Sequence, residues 1–543
     1  MRPHPNHEIN QPETPARAEI LAVLAGCAAA SLVAIAWSWR HAALLNYGDA
    51  IAHLHIARRV LDSRRPGLEQ LGSVWLPLPH LLMLPFVQVY AWWADGLAGT
   101  IPSALAYVAA CAGLYRLARR WLKPAESALA LALFALNPNL LYLQTTAMTE
   151  PLFVCEMIWI LVGLVEWRAS LDSDPRRADR LQGWIAAGLV LAIFTRYDGW
   201  VMALLAWTGI AVALLRRGRL RSWSFWIGSI AVAAAPATWF VYNAFAFGDW
   251  LEFARGPYSA KAIELRTAHG AGPPHPGWHN PWVGLLFFVK VSEMDAAAWA
   301  WGNLVLALSV LGTAWGWVFA RRKAFTWALL LWLPVPFYAY SVAYGSVPIF
   351  IPPWWPHSWY NTRYGMELLP ALALGLGFAA AFGLALVRRF NRAWLKYAAG
   401  ALAAVVALNA WTLIRERPLV YVEGTKNLAA RQPFDVAIPP VLRKLAAQRP
   451  EGAVLMITSV HPELVALAGI PLRRTINESD KQFYRAALAA PAVHAAIVLA
   501  FDGDEIDRAV KAHPQGMRAV ARFTAKGQPS ATMYVSDLAP RAD

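Results

Sequence analysis

The stretch Val74–Leu97, VWLPLPHLLMLPFVQVYAWWADGL, decides the fold. It is apolar enough to cross a bilayer, yet it carries Pro77, Pro79, Pro85 and His80. Proline lacks a backbone donor and breaks helix interiors unless neighbours re-satisfy the freed groups. Charge elsewhere in the chain places the stretch. A membrane helix takes about 20 apolar residues, and eleven other runs have that character: 18–39, 99–117, 125–143, 151–167, 183–196, 199–215, 223–245, 296–320, 324–344, 364–387 and 397–414. If 74–97 lies at the outer surface, the loops 116–123, 168–180, 216–221, 321–323 and 388–396 all fall on one side. Each of them carries three or four Lys or Arg. Cationic short loops mark the cytoplasmic side. If 74–97 spans instead, most of these loops flip outside. The first arrangement is therefore expected: an α-helical polytopic membrane protein with about 11 transmembrane helices, N-terminus inside and C-terminus outside. The fifth run is short and is expected to meet the sixth in a tight turn, Thr195-Arg196-Tyr197-Asp198-Gly199.

Composition agrees. Of 543 residues, 58% are hydrophobic and 15% charged, against about 45–50% and 25% in soluble proteins. The 28 Trp suit membrane–water interfaces. The net charge of +15 does not indicate nucleic acid, because the Arg residues are spread over short loops and not gathered on one face. Cys27, Cys111 and Cys155 all lie in apolar runs without CxxC spacing, so neither a disulfide framework nor a Cys-based metal site is expected. Residues 1–17 are polar and Pro-rich and read as a disordered cytoplasmic tail ahead of an uncleaved first helix.

In this topology the outer face receives the first loop 40–98, the loop 142–150, the loop 246–295, and the loop 345–363 with Pro352-Pro353-Trp354-Trp355-Pro356. The tail 415–543 follows. Ala453–Thr458 and His494–Phe501 read as strands there, Pro462–Ala468 and Glu505–Ala512 as helices, and Arg518–Thr524 with Ala531–Val535 as a strand pair. A small extracytoplasmic α/β domain is expected. It has no GxGxxG and no P-loop, so no nucleotide is assigned.

The first outer loop opens with Asn46-Tyr47-Gly48-Asp49-Ala50-Ile51-Ala52-His53-Leu54-His55-Ile56-Ala57-Arg58-Arg59. A helix would place Asp49 and His53 on one face. Arg58, Arg59, Arg64 and Arg65 run against the positive-inside trend, and a lipid phosphate would explain them. An amphipathic helix meeting anionic headgroups would explain them equally well.

Further signals recur in a set order. They are Asp49 after the first span, the Pro-rich Trp75-Leu76-Pro77-Leu78-Pro79-His80, and a span that opens Ile101–Leu105 and ends Leu117–Arg120. Asn137-Pro138, Thr149-Glu150-Pro151, Thr195–Gly199, and Arg363-Tyr364 leading to Leu369-Pro370 complete the series. With them the chain, over about 18–414, resembles the membrane glycosyltransferases of the GT-C class, glycosyltransferase family 39-like. That class includes protein O-mannosyltransferases and aminoarabinose-lipid transferases. The resemblance implies a GT-C-like transmembrane domain, 18–414, that moves a sugar from a polyprenyl-phosphate donor to an acceptor at the outer face. It implies Asp49 as general base, Arg363 and Tyr364 at the donor phosphate with Arg196, Arg58 and Arg59 alongside, and Glu150 at an acceptor or metal position. His53 and Asp198 are further candidates there. The chain departs from the protein mannosyltransferases: Asp49 lacks an adjacent Glu, and 246–295 is too short for their added domains.

The chemistry suits such residues. A glycosyl phosphate is already activated, so positioning and charge neutralisation do most of the work. A carboxylate beside the acceptor takes its proton as the bond forms, and in-line attack inverts the anomeric centre. No DxD motif appears in the outer loops, so no cofactor is required, although a divalent metal stays open. The expected partners are the polyprenyl-phosphate sugar, a lipid, glycan or protein acceptor, and membrane lipids, with no nucleic acid. The expected place is a bacterial-type inner membrane. The alternatives are a transporter or flippase of lipid-linked sugars, a carbohydrate polymerase, or an assembly protein. A transporter calls for charged groups inside several spans and for repeat symmetry, whereas Glu156 is the one buried-span charge that stands out.

Overall fold

The computed structural model describes residues 15–267, 272–319 and 322–538. Most of the expected N-terminal tail, residues 1–14, and Arg321 of the loop 321–323 lie outside the described residues. Among those described, eight helices are long and apolar enough to cross a membrane. They correspond to the expected runs beginning at 18, 99, 199, 223, 296, 324, 364 and 397. Many of their outward side chains are large and apolar, for example Leu32, Leu204, Ile230, Phe245 and Leu311. Faces of that kind suit lipid.

The other three expected spans are helical but differently built. The run 125–143 is two helices, Pro124–Ala135 and Pro138–Leu143. Pro138 cannot continue the first helix. The side chain of Asn137 caps the second by accepting from the backbone N–H groups of Asn139 and Leu140, at 2.9 and 3.3 Å. The run 151–167 is the helix Glu150–Ser170, which carries Glu150, Glu156, Glu166 and Arg168. The run 183–196 starts earlier than expected, as Pro175–Thr195, because Asp174 caps it at Arg177 N. It does meet the next helix, Tyr197–Leu215, in a tight turn: Arg196 alone, in extended conformation, separates them.

Two further differences concern 246–344. The expected loop 246–295 contains a 16-residue helix, Pro281–Ala296, opened by an Asn280 cap and Pro281. The next span is therefore Gly302–Phe319, not 296–320. The run 324–344 is segmented into Arg322–Ala328, a 3-10 turn Leu329–Trp332 and Pro334–Tyr344. Pro334 forces the break.

The chain divides into two compact units that do not follow chain order. The first comprises 1–40, 103–145 and 149–423. Its long elements among the described residues are helices, and they approach closely where side chains are small. A Cβ on Gly312 would stand 2.0 Å from the Gly375 carbonyl oxygen, and one on Gly375 would stand 2.2 Å from that of Ser309. Gly302–Phe319 and Leu369–Phe390 therefore pack backbone to backbone, the usual device in membranes.

The second unit comprises 41–102, 146–148 and 424–543. It joins the first outer loop to the tail. The loop supplies the helices Gly48–Leu61, Leu78–Val87 and Tyr90–Asp95. The tail supplies a five-stranded sheet: β1 (Val454–Leu455), β2 (Thr475–Ile476), β3 (Ile497–Phe501), β4 (Met517–Phe523) and β5 (Ala531–Ser536). Its order is β2-β1-β3-β5-β4, parallel across the first three and antiparallel from β3 onward. The expected α/β tail is present, including the helices Glu463–Ala468 and Glu505–Ala512 and the β4–β5 pair. The short β2 and the helix Gln482–Ala489 had no clear sequence signal. Leu455, Ile476, Tyr484, Val498, Ile506 and Val510 form the core under the sheet.

Candidate active site

In the first unit, three helix junctions deliver charge to one buried cluster. The one-residue turn carries Arg196, the start of Glu150–Ser170 carries Glu150, and the 3-10 turn Thr362–Leu368 carries Arg363 and Glu367. Arg363 donates to Glu150 Oε1 at 3.0 Å and to Glu423 Oε1 at 3.4 Å. Arg196 lies 3.0 Å from Glu367, 3.3 Å from Asp198 and 3.5 Å from Glu150. It also donates to the Tyr338 hydroxyl at 2.7 Å and to Thr149 Oγ1 at 2.9 Å. Tyr338 in turn donates to Glu367 at 2.8 Å and stacks between Phe288 and Tyr364. Both guanidinium groups lie over the Tyr364 ring, at 4.9 Å for Arg363 and 5.2 Å for Arg196.

Glu423 fixes the turn beneath Arg363. Its carboxylate accepts from Asn361 N at 2.7 Å, Thr362 N at 2.9 Å and Thr362 Oγ1 at 2.6 Å. Asn361 sits in the left-handed region at φ 56°, which Asn tolerates better than most residues. Asp295, fully buried, lies against the same turn. A Cβ on Gly365 would stand 2.4 Å from its Oδ2, and neither Asp295 carboxylate oxygen has a hydrogen-bond partner among the described residues. Its backbone carbonyl accepts from Asn137 and Asn139 side chains at 2.8 and 3.0 Å. The helix break at Asn137-Pro138 is thus tied to the end of Pro281–Ala296.

The cluster brings together four sequence candidates with Glu150: Arg196, Asp198, Arg363 and Tyr364. It adds Glu367, Glu423, Tyr338 and Asp295, which sequence reasoning missed. Glu367 had a signal, a carboxylate at the mouth of an apolar span. Glu423 had none. Four carboxyl groups, Glu150, Asp198, Glu367 and Glu423, pair with the two guanidinium groups, and burial pushes the neighbouring Asp295 carboxyl well above its ordinary range. Glu156 stands apart in the helix interior, where its Oε1 accepts from Thr195 Oγ1 at 2.8 Å.

The second unit holds the remaining candidates. Asp49 occupies the first turn of Gly48–Leu61 and is half-exposed. His53 is buried one turn later, its Nδ1 2.8 Å from His80 Nε2. Arg58 pairs with Asp62 at 3.0 Å, donates to the Val87 and Gln88 carbonyls, and lies over Trp93 at 5.6 Å. Arg59 donates to Ser479 Oγ at 2.7 Å and to the Gln70 carbonyl at 3.1 Å. Both arginines tie the first loop into its unit. Burial pushes the His80 imidazole well below its ordinary range, helped by His53 and the Arg59 charge. Burial does the same to His55, again beside Arg59. Among the described residues no three His, Cys, Asp or Glu side chains converge as a metal site would.

No protein-family model matches the chain. In sequence it is 27% identical over 298 residues to the undecaprenyl phosphate-alpha-4-amino-4-deoxy-L-arabinose arabinosyl transferase of Pseudomonas aeruginosa strain UCBPP-PA14, covering 52% of this chain and 50% of that one. The enzyme of the same name from strain LESB58 matches over the same lengths with the same identity. The chain spans about half the length of the curated relatives it matches. In structure it superposes on ArnT from Cupriavidus metallidurans bound to undecaprenyl phosphate, with a TM-score of 0.54 and 15% identity over 97% of this chain and 100% of that one. The apo form of the same protein gives 0.52 and 15% over 94% and 98%. The fold is therefore shared with ArnT along nearly the whole chain, tail included.

Proposed function

We propose that this chain transfers a sugar from a polyprenyl-phosphate donor to an acceptor at the outer face of a bacterial-type inner membrane. The N-terminus is cytoplasmic and the second unit extracytoplasmic. The observation that carries the reading is the likeness along nearly the whole chain to a protein crystallised with undecaprenyl phosphate. The aminoarabinose transferases that it resembles in sequence add support. Asp49 removes the acceptor proton as the sugar–oxygen bond forms, and the anomeric centre inverts. Arg363 and Arg196 face the donor phosphate, with Tyr364 packed against both. The carboxylates around them hold the guanidinium groups in place before substrate arrives, the kind of preorganisation that electrostatic catalysis needs.

The aminoarabinose named in the sequence relatives supports one refinement, an amino sugar on the donor. The acceptor is a lipid, glycan or protein. The step asks for no cofactor, and transfer is expected to survive EDTA unchanged. A polymerase would use the same donor repeatedly and differs in yielding chains. A flippase would move the donor without consuming it.

The test is transfer from radiolabelled polyprenyl-phosphate sugars in membranes, wild type against Asp49→Asn. General base catalysis is worth about 10²–10⁴-fold, and a loss of that order is expected in a variant that still inserts. Equal transfer by both proteins would move the base elsewhere, with Glu150 next. A wild type that consumes no donor across several sugars would sink the transferase reading.

A further inference from the structure

We propose that His53 receives the proton that Asp49 takes from the acceptor, and that His80 is the positioning residue that aims His53 for it. This rests on the transferase reading and on Asp49 as its base.

The helix Gly48–Leu61 sets Asp49 and His53 one turn apart on the same face. His53 is 3% exposed and His80 0%. A 2.8 Å contact joins His53 Nδ1 to His80 Nε2, and the Trp75 ring packs on His53 with centroids 4.4 Å apart. The charge of Arg59, from the same helix as His53, acts on His80. Two buried imidazoles so placed share one proton: one ring donates, the other accepts. A relay through His53 takes the tautomer in which His53 Nδ1–H donates and His80 Nε2 accepts. The lone pair of His53 is thereby placed on Nε2, because the bond made by one ring nitrogen sets the state of the other.

The step balances. The acceptor O–H or N–H bond breaks as its heteroatom bonds to the anomeric carbon. The bond from that carbon to the phosphate oxygen breaks with its electron pair going to the phosphate. The proton passes to the Asp49 carboxylate and then to His53 Nε2, which restores the carboxylate for the next turnover. The resulting imidazolium keeps its Nδ1–H bond to His80 and loses the proton to water. His80 does not take the proton itself, because burial and Arg59 hold it neutral.

The readout is transfer in proteoliposomes at pH 5–8, with kcat and donor KM separated and folding checked by thermal unfolding in detergent. His53→Gln is expected to lower kcat by about 10²-fold at unchanged donor KM. It should also remove the loss of rate expected of wild type as pH falls, since a protonated His53 cannot take the proton. His80→Leu should match it, since nothing then aims His53. His80→Gln, whose carbonyl oxygen can accept from His53 Nδ1, should recover much of the rate. If His53→Gln keeps both kcat and the acidic limb, the proposal is overturned. It is equally overturned if the variant loses activity only through a raised KM and a lowered melting point, the mark of a core pair. A wild type that transfers from no donor fails the transferase reading, and this one with it. An inactive Asp49→Asn beside a fully active His53→Gln fails this one alone.

Discussion

At the residue scale, the first unit depends on Glu423. Its carboxylate caps two backbone N–H groups and the Thr362 hydroxyl while facing Arg363. Arg363 keeps Glu150 when Glu423 is removed, so the main loss is the buried turn donors left without an acceptor, about 1–3 kcal/mol. Glu423→Ala should therefore lower the melting point in detergent more than Glu423→Gln, which keeps an acceptor for the turn. Equal midpoints would show that the charge, not the capping, is what matters. Gly365 has a different constraint. An alanine methyl there meets Asp295 Oδ2 at 2.4 Å and the Ser292 backbone at 2.9 Å, so Gly365→Ala should destabilise by about 1–3 kcal/mol, the usual cost of overpacking. Glu150→Gln, at a buried carboxyl group whose Oε2 has no hydrogen-bond partner among the described residues, tests the amino-sugar assignment. It should raise the KM for a donor with a free amine and leave that for the N-acylated donor unchanged. A uniform effect on both donors would remove the amine from the reading.

At the element scale, long apolar helices were legible in the sequence because length and composition suffice to announce them. The tail's β4–β5 pair and the helix Glu505–Ala512 were legible from alternation and amphipathic period. The helix Pro281–Ala296 was not, because a 16-residue run is shorter than a typical span and hides in a loop. The break at Asn137-Pro138 was visible as a motif, but its anchor on the Asp295 carbonyl is a contact between residues 158 positions apart. The candidate site followed the same division. Arg196, Arg363 and Glu150 could be named from order along the chain. Glu423 and Asp295 reach the cluster only through tertiary packing.

The helices of the first loop carry a pH prediction. The His55 and His80 imidazoles are both pushed well below their ordinary range in the fold. An unfolded chain takes up protons on them near pH 6.5, while the folded chain does not. Stability is thus fully present above about pH 6.5 and is lost as pH falls below it, by up to about 1.4 kcal/mol per pH unit for each group. Melting points should drop between pH 7.5 and 5.5, and His80→Gln should flatten the slope. A wild-type midpoint that does not move over that interval would mean that neither ring is held neutral by the fold.

At the scale of the whole molecule, the grouping of 41–102 with 424–543 changes what a truncation means. In the sequence the tail looks separable, since it starts after the last apolar run. In the fold it completes the unit that contains Asp49. Arg59 donates to Ser479, Arg64 to the Thr475 carbonyl at 2.9 Å, Tyr90 to the Ala466 carbonyl at 3.0 Å, and Arg473 pairs with Asp62 at 3.3 Å. The first loop alone cannot replace these contacts, and its helices are too short to stand by themselves in water. A chain ending at residue 414 would also lack Glu423 and so would damage the first unit directly. A chain ending at residue 448 keeps Glu423 and isolates the question. It should insert normally yet lose transfer, and its first loop should become sensitive to trypsin at Arg58, Arg59, Arg64 and Arg65. Those sites should resist cleavage in the full chain, where contacts within the unit hold their backbone. If the shortened chain keeps both resistance and activity, the tail is an independent module and only then could it be a device for acceptor choice. If resistance and activity vanish together, the tail acts on transfer by holding the helix that presents Asp49, and acceptor selectivity has to be sought in point variants of the intact unit.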